Sequence, residues 1–352
     1  MKEYFNNKRI LVTGAAGTVG SELVRQLLES FHAGEVIGMD NNETAIYYLE
    51  TEFGNYANLQ CFLGDIRDRD KLIKIMSGVD IVFHCAAYKH VILCEKSPFE
   101  AVQTNVLGIQ NIIIAAFHNK VEKVIFTSSD KAVNPSSVMG TSKLMGERLI
   151  TAATNIQNNQ NTIFTSCRFG NVLGSRGSVI PIFNQQISNG GPVTVTHKEM
   201  SRFIMSIEES VRLVIGSTCL AKGGEVFITK MPVINIMDLA EVMIVSLAQK
   251  NGFNPDQIEI KIVGIKPGEK LYEELMNIEE TRRSIELKDY YVVMPAFRNV
   301  YKSIEYSYPG EISRKVEKPF ISSDVEPMKK KDLLAFLLRN KLLDEHESTG
   351  VK

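Results

Sequence analysis

Short apolar runs alternate with longer amphipathic stretches from Arg9 onward. The runs ILVTG, IVFHCAA and KVIFTSS lack polar alternation, as expected of strands covered on both faces of a parallel sheet. Six strands are predicted: Arg9–Thr13, Glu35–Asp40, Leu59–Gly64, Ile81–Cys85, Lys123–Ser128 and Thr162–Arg168. Helices are predicted near Val19–Ser30, Glu43–Phe53, Asp70–Met76, Pro98–Asn119 and Met139–Asn158. Repeated strand–helix units imply an α/β fold, a doubly wound parallel (Rossmann) sheet with right-handed crossovers. After Asn171 glycine and proline become frequent and strands shorten. A smaller α/β lobe is expected there, interleaved with the end of the sheet. Helices near Ile207–Ala221 and Met237–Asn251 are expected to flank a strand at Glu225–Thr229.

The length of 352 residues suits two units of this kind. Apolar residues make up 44% and charged residues 23%, which excludes a disordered, collagen-like or coiled-coil chain. A formal net charge of −1 gives no electrostatic case for nucleic acid as a partner. Cys61, Cys85, Cys94, Cys167 and Cys219 lie far apart and never form C-x-x-C, so reduced thiols in a cytoplasmic compartment are expected. No apolar stretch is long enough to span a membrane. The segment 1–7 is polar and is read as neither signal peptide nor anchor. The six histidines show no ligand spacing, so no metal is expected; no G-x-S-x-G elbow or GK[ST] loop occurs.

The first strand runs into Thr13-Gly14-Ala15-Ala16-Gly17-Thr18-Val19-Gly20 and then a helix. Glycines at 14, 17 and 20 allow a tight turn, close approach of backbone to a pyrophosphate, and close helix–strand packing. The helix start, with Thr18 and Val19, offers free N–H groups to the anion. Asp40 ends the second strand, where a carboxylate accepts both ribose hydroxyls of NAD and repels the 2′-phosphate of NADP; it could equally cap the next helix. Asp65 and Ile66 are placed to meet the adenine edge. The expected division is residues 1–171 for dinucleotide binding and 172–345 mainly for a substrate-binding lobe. A frayed tail at 346–352 completes it.

The fifth strand delivers Ser129, Asp130 and Lys131 at its carboxyl end, where open α/β sheets hold their ligands. Lys143 follows, one helical turn after Met139. Together with Ala86-Ala87-Tyr88-Lys89-His90-Val91, Asn105-Val106, Pro135, Arg168–Leu173, Ser201–Met205 and Lys266–Lys270, these segments resemble the extended short-chain dehydrogenase/reductase superfamily. More closely, they resemble the UDP-N-acetylglucosamine 4,6-dehydratases of bacterial polysaccharide and glycan biosynthesis.

The resemblance implies a chemistry. Hydride leaves sugar C4 for NAD, the ketone acidifies H5, water is lost across C5 and C6, and hydride returns to C6. The product is a UDP-4-keto-6-deoxy-N-acetylhexosamine. Lys131 would be the base at C5 and Asp130 the acid on the departing oxygen. Burial favours the neutral forms that these roles need, and the mutual attraction of the charged pair opposes it. Met139 stands where the superfamily has a tyrosine base, and a thioether carries no proton. Ser129, or a water it positions, is assigned to the O4 proton, and protonated Lys143 to the nicotinamide ribose and the developing charge on O4. Ala86, Ala87, Lys89 and Asn105 would line the cofactor. Lys89, His90, Asn171, Arg176, Arg202 and Glu269 would meet the UDP-sugar, with guanidinium groups suited to its diphosphate. The helices after the fourth and fifth strands imply a homo-oligomer. A UDP-sugar 4-epimerase and a non-catalytic NAD sensor on the same fold are the other readings of these residues.

Overall fold

The computed structural model describes residues 2–156, 161–175, 178–265, 268–297 and 304–343. The chain divides into two compact units. The first comprises residues 1–169, 208–230 and 274–320, and the second 170–207, 231–273 and 321–352. The predicted tail at 346–352 lies outside the described residues.

In the first unit the apolar runs form β1 (Arg9–Thr13), β2 (Glu35–Asp40), β3 (Leu59–Leu63), β4 (Ile81–His84), β5 (Lys123–Ser129) and β6 (Ile163–Phe169). Ile10, Leu11, Val12, Ile81, Val82, Phe83, Val124 and Ile125 are fully buried, which is why these strands show no polar alternation. The six lie in the order β3-β2-β1-β4-β5-β6 with parallel neighbours. The chain builds outward from β1 in one direction and from β4 in the other. The switch point between them is where open α/β sheets form a crevice. The expected doubly wound fold is thus the one observed.

The sheet continues past β6. Val226–Thr229 adds a parallel strand, and Tyr290–Val293, Ser284–Leu287 and Glu311–Ser313 add antiparallel ones, giving ten strands among the described residues. The antiparallel three span only three or four residues each, too few for a hydrophobic period to stand out.

Helix ends follow the expected pattern within a residue in most cases, and three places differ. The single helix expected over Pro98–Asn119 is broken into Pro98–Val102, a π-turn at Gln103–Leu107, and Gly108–Asn119, with a separate helix at Val91–Lys96 ahead of it. A Cβ at Gly108 would fall 2.6 Å from Ile66 Cδ1, and the extra residue of the π-turn accompanies full burial of Asn105. The helix expected to start at Met139 runs Val138–Thr154, and residues 157 and 158 lie outside the described residues. Met237–Asn251 is a helix only over Ile236–Leu247, closed by a 3₁₀ turn at Gln249–Asn251.

The second unit holds a three-stranded sheet of Val233–Asn235, Ser201–Met205 and Asn171–Val172, and a parallel pair of Val193–Val195 with Ile260–Ile262. Helices Val179–Ser188, Ile236–Leu247 and Lys330–Arg339 close its core around Phe183, Ile204, Leu239, Met243, Leu333 and Phe336. Among the described residues no helix is long and apolar enough to cross a membrane.

Candidate active site

The glycine loop sits beside the switch point. Gly14 has φ +70, and a Cβ there would lie 2.7 Å from the backbone nitrogen of Ala86, so the turns after β1 and β4 meet without room for a side chain. Gly17 precedes the helix Thr18–Glu29, which has neither a side-chain cap nor an acidic residue in its first turn. Its first N–H groups are therefore left to an anion. A Cβ at Gly20 would lie 2.1 Å from the Gly14 carbonyl oxygen, so the helix can approach the turn only as glycine. These are the properties a pyrophosphate cradle needs, and the loop fits one.

At the end of β2, Asp40 both shapes this loop and caps the following turn. Its carboxylate accepts from Ala16 N at 3.1 Å and from Asn42 N at 3.0 Å. Asn42, not Asp40, caps the helix Glu43–Glu52, accepting from Ala45 N at 3.0 Å. Asp65 carries a feature the sequence pattern gave no sign of: Arg67 folds back on it, with Nη2 at 2.5 Å from Oδ2. Hydrogen bonding from Arg67 holds the Asp65 carboxyl below its ordinary range. Ile66 is buried, and its carbonyl accepts from Asn111 Nδ2 at 3.1 Å.

After β4, Ala86 and Ala87 are half-buried, while Lys89 and His90 are exposed. Asn105 is fully buried and spends its amide on Tyr88 and Ser142. Its Oδ1 accepts from Tyr88 N at 2.8 Å, and its Nδ2 donates to Tyr88 O at 3.0 Å and to Ser142 Oγ at 2.9 Å. Ser142 in turn donates to Met139 O at 2.7 Å. One amide thus joins the Lys89–His90 segment to the helix that carries Lys143.

The end of β5 forms a compact proton-transfer group. Asp130 is buried, and Lys131 Nζ lies 3.0 Å from its Oδ2. Ser129 Oγ donates to Asp130 Oδ1 at 2.7 Å and accepts from Lys131 N at 3.2 Å. Lys131 is about one-third exposed, so the amine reaches outward while the carboxylate stays inside. Gly140 lets the next helix press on this turn, since a Cβ there would lie 2.3 Å from Lys131 O. Met139 packs with Cys94 and Ala101 in a small apolar cluster.

Lys143 is buried, its Nζ 3.1 Å from Thr127 O and 4.8 Å from the centre of the Phe126 ring. Burial pushes its pKa down to about 8, against the opposing pull of Cys85 and Glu147. His84, buried nearby, is pushed down to about 3 by desolvation and by Lys143, and is neutral. Because the folded state gives up the Lys143 proton near pH 8 and the unfolded state only near pH 10, this residue opposes folding below pH 8. Its contribution becomes less unfavourable as pH rises across that window. Lys143→Met is expected to stabilise the fold by up to roughly 3 kcal/mol near neutral pH, with the gain shrinking towards about pH 10. Denaturant melts of both proteins across this range measure it, and parallel curves would contradict the assignment.

The second unit gathers Asn171, Arg202 and Glu269 around a buried residue that sequence reasoning passed over, Glu273. Asn171 Nδ2 donates to Glu273 Oε2 at 2.7 Å and to Phe203 O at 3.1 Å. Arg202 donates to Ser201 O at 2.7 Å, to Lys270 O at 2.8 Å and to Leu271 O at 3.2 Å. Its Nε lies 3.3 Å from Glu273, and its Nη2 lies 3.7 Å from Glu269. Arg202 therefore shapes the 269–273 turn. The only sequence hint of Glu273 was its place in the run following Pro267-Gly268-Glu269. Arg176, and the Lys266-Pro267 part of that motif, lie outside the described residues. Among the described residues no group of His, Cys, Asp and Glu could hold a metal ion.

A parallel sheet of this strand order, with its glycine loop against the turn after β4, defines the Rossmann dinucleotide-binding class. Within that class the chain belongs to the polysaccharide biosynthesis protein family, whose profile matches residues 10–295. It is 52% identical over 295 residues to a protein of Methanocaldococcus jannaschii described as an uncharacterized membrane protein, spanning 84% of this chain and 88% of that one. It is 38% identical over 339 residues to the inverting UDP-N-acetylglucosamine 4,6-dehydratase of Campylobacter jejuni, covering 95% of this chain and 98% of the relative. The UDP-glucose 4-epimerase of Rickettsia typhi is 35% identical over 341 residues, 95% of this chain and 96% of that one. Among solved structures, Pen from Bacillus thuringiensis superposes with a TM-score of 0.88 at 40% identity, covering 96% of this chain and 99% of that one.

Proposed function

We propose that the chain is a cytoplasmic UDP-N-acetylglucosamine 4,6-dehydratase that holds NAD and regenerates it within each turnover. The observation that carries this reading is the Ser129–Asp130–Lys131 group at the end of β5, with Lys143 buried beside that strand. The glycine loop and Asp40 suit NAD, which when bound would supply the acceptor and later the donor of the C4 hydride. NADP fits less well, because Asp40 ends β2 in the position that receives the adenosine ribose.

Protons are moved by the chain's own residues. Ser129 relays the O4 proton to Asp130, to which its hydroxyl already donates. The ketone then acidifies H5, which Lys131 removes and later returns. Asp130 passes its proton to O6, which leaves as water. Starting from an Asp130 carboxylate and a neutral Lys131 amine, the O4 proton is the one carried off in the water, H5 goes back to C5, and both side chains end as they began. Lys143, protonated below about pH 8, favours loss of the O4 proton. Lys89, His90, Asn171, Arg202 and Glu269 would bind the UDP-sugar, with Arg202 acting mainly by holding the turn that bears Glu269. The free state of Cys61, Cys85, Cys94, Cys167 and Cys219 supports a reducing, cytoplasmic setting.

The test is incubation with UDP-N-acetylglucosamine and mass spectrometry of the nucleotide sugar. Loss of one water is expected. An altered sugar of unchanged mass would favour the epimerase reading, which the likeness to Rickettsia epimerases keeps in play. NAD binding with no UDP-sugar affinity would favour a sensor.

The same reading expects a homo-oligomer. Ile92, Leu93, Phe99 and Val102 expose 45–81% of their surface on neighbouring helices after β4, an apolar face that a second copy would cover. Phe99→Glu is expected to shift the particle to a smaller species by light scattering. An unchanged particle mass would argue against this face.

A further inference from the structure

We propose that Arg168 is a positioning residue for the proton-transfer turn, acting through Glu147 and Glu280. This rests on the dehydratase reading and adds to it a residue that touches no substrate. The Arg168 side chain is 1% exposed, and its partners Glu147 and Glu280 are 4% and 6% exposed. Nε and Nη2 meet Glu147 at 2.9 and 2.6 Å, and Nη1 and Nη2 meet Glu280, each at 3.1 Å. The remaining Nη1 donor reaches Leu275 O at 2.7 Å. All five N–H donors of the fork are used.

Each partner belongs to an element that frames the chemistry. Ser128 is the sheet neighbour of Arg168 and immediately precedes Ser129, and its hydroxyl donates to Glu147 at 2.6 Å. Glu147 lies one turn beyond Lys143 on the same helix. Leu275 lies on the strand Glu274–Met276, which packs against the Asp130–Ala132 turn, and Glu280 lies on the short helix that follows. One guanidinium therefore sets the spacing between the carboxyl end of β5, the helix of Lys143, and the segment lying against the Asp130–Lys131 turn. Stability alone is a poor reason for such a cluster, because apolar residues of like volume commonly serve a buried ion triad's place as well or better. Placement is the property that apolar residues would not reproduce, since only a planar fork fixes two carboxylates and a carbonyl at once.

The experiment compares wild type, Arg168→Lys, and the neutral triple variant Arg168→Met/Glu147→Gln/Glu280→Gln, each loaded with NAD and given UDP-N-acetylglucosamine. Melting temperature, KM, kcat, the reduced-nicotinamide absorbance in steady state and the isotope effect with C5-deuterated substrate are recorded. In both variants kcat is expected to fall about 100-fold, as a misplaced reacting group predicts. KM should stay within about threefold of wild type, the pattern of an interaction made only in the transition state. The steady-state level of reduced nicotinamide and the C5 isotope effect should both depart from their wild-type values, because the clamp spaces Ser129 and Lys143, which serve oxidation, from Lys131, which serves elimination, and its loss slows the two steps unequally. A merely structural role lowers the folded fraction and moves neither of these last two signals, and that outcome overturns the proposal. So does a fully active Arg168→Lys. Wild type that leaves UDP-N-acetylglucosamine unchanged would instead sink the dehydratase reading.

Discussion

Lys131→Ala is expected to leave the sugar oxidised at C4 and the elimination stalled. Turnover should fall about a thousandfold, within the range that one positioned proton-transfer group supplies. The site explains why no neighbour substitutes. Lys131 is the amine that reaches outward from this turn, whereas Lys143 is buried and held on Thr127 O. Reduced nicotinamide should build up in the variant, because hydride return to C6 requires the alkene that Lys131 creates. Asp130→Asn should also slow water loss, but its effect divides differently. An amide can still accept from Ser129, yet it cannot carry the O4 proton to O6, so both oxidation and elimination suffer. NAD binding should survive both changes, since neither side chain belongs to the glycine loop. Rapid-quench product analysis with absorbance detection separates the steps. Normal turnover in both variants would remove Asp130 and Lys131 from the mechanism.

Gly20→Ala should be the most damaging single-methyl addition in the nucleotide unit. The new Cβ would stand 2.1 Å from Gly14 O and 2.8 Å from Ala15 Cα, both backbone atoms that cannot rotate away. Relief requires the helix Thr18–Glu29 to shift away from β1, along which Leu23, Val24 and Leu27 are fully buried. Overpacking typically costs about 1–3 kcal/mol, and a contact this short against backbone belongs at the upper end of that range. The same shift withdraws the helix N–H groups from the anion they face, so NAD affinity should drop at least about 100-fold. Chemical denaturation and a fluorescence titration with NAD measure the two losses. A variant with native stability and native affinity would show that the close approach is not needed.

The two halves of the chain differ in how plainly they speak. The strand runs of the nucleotide unit were readable because full burial on both faces removes polar residues, as at Ile10–Val12 and Ile81–Phe83. The glycine loop was readable because Gly14 and Gly20 have no sterically allowed substitute. The antiparallel strands at 284–293 and 311–313 were not, because they owe their place to a partner strand rather than to their own pattern. At the site, the Asp130–Lys131 pair follows from adjacency in sequence. The Arg67 contact on Asp65 and the clamp of Asn105 on Tyr88 do not, since both depend on a turn geometry that no period encodes. Arg168 stands out in the sequence only as part of a motif, because its two carboxylate partners lie 21 and 112 residues away. Glu273 was invisible for the same reason: its partners Asn171 and Phe203 reach it from remote segments.

That long reach bears on how the protein is made. A ribosome that has emitted residues up to Phe169 has released every strand from β1 to β6, yet β6 still lacks its neighbour Val226–Thr229. Arg168 at that moment has Glu147 but neither Glu280 nor the Leu275 carbonyl. The nascent nucleotide unit therefore carries an open sheet edge and a buried guanidinium with three of its five N–H donors unmet until more than a hundred further residues have been translated. Its final closure is a late event in synthesis, and the interval before it is when a holdase chaperone would find this chain most receptive.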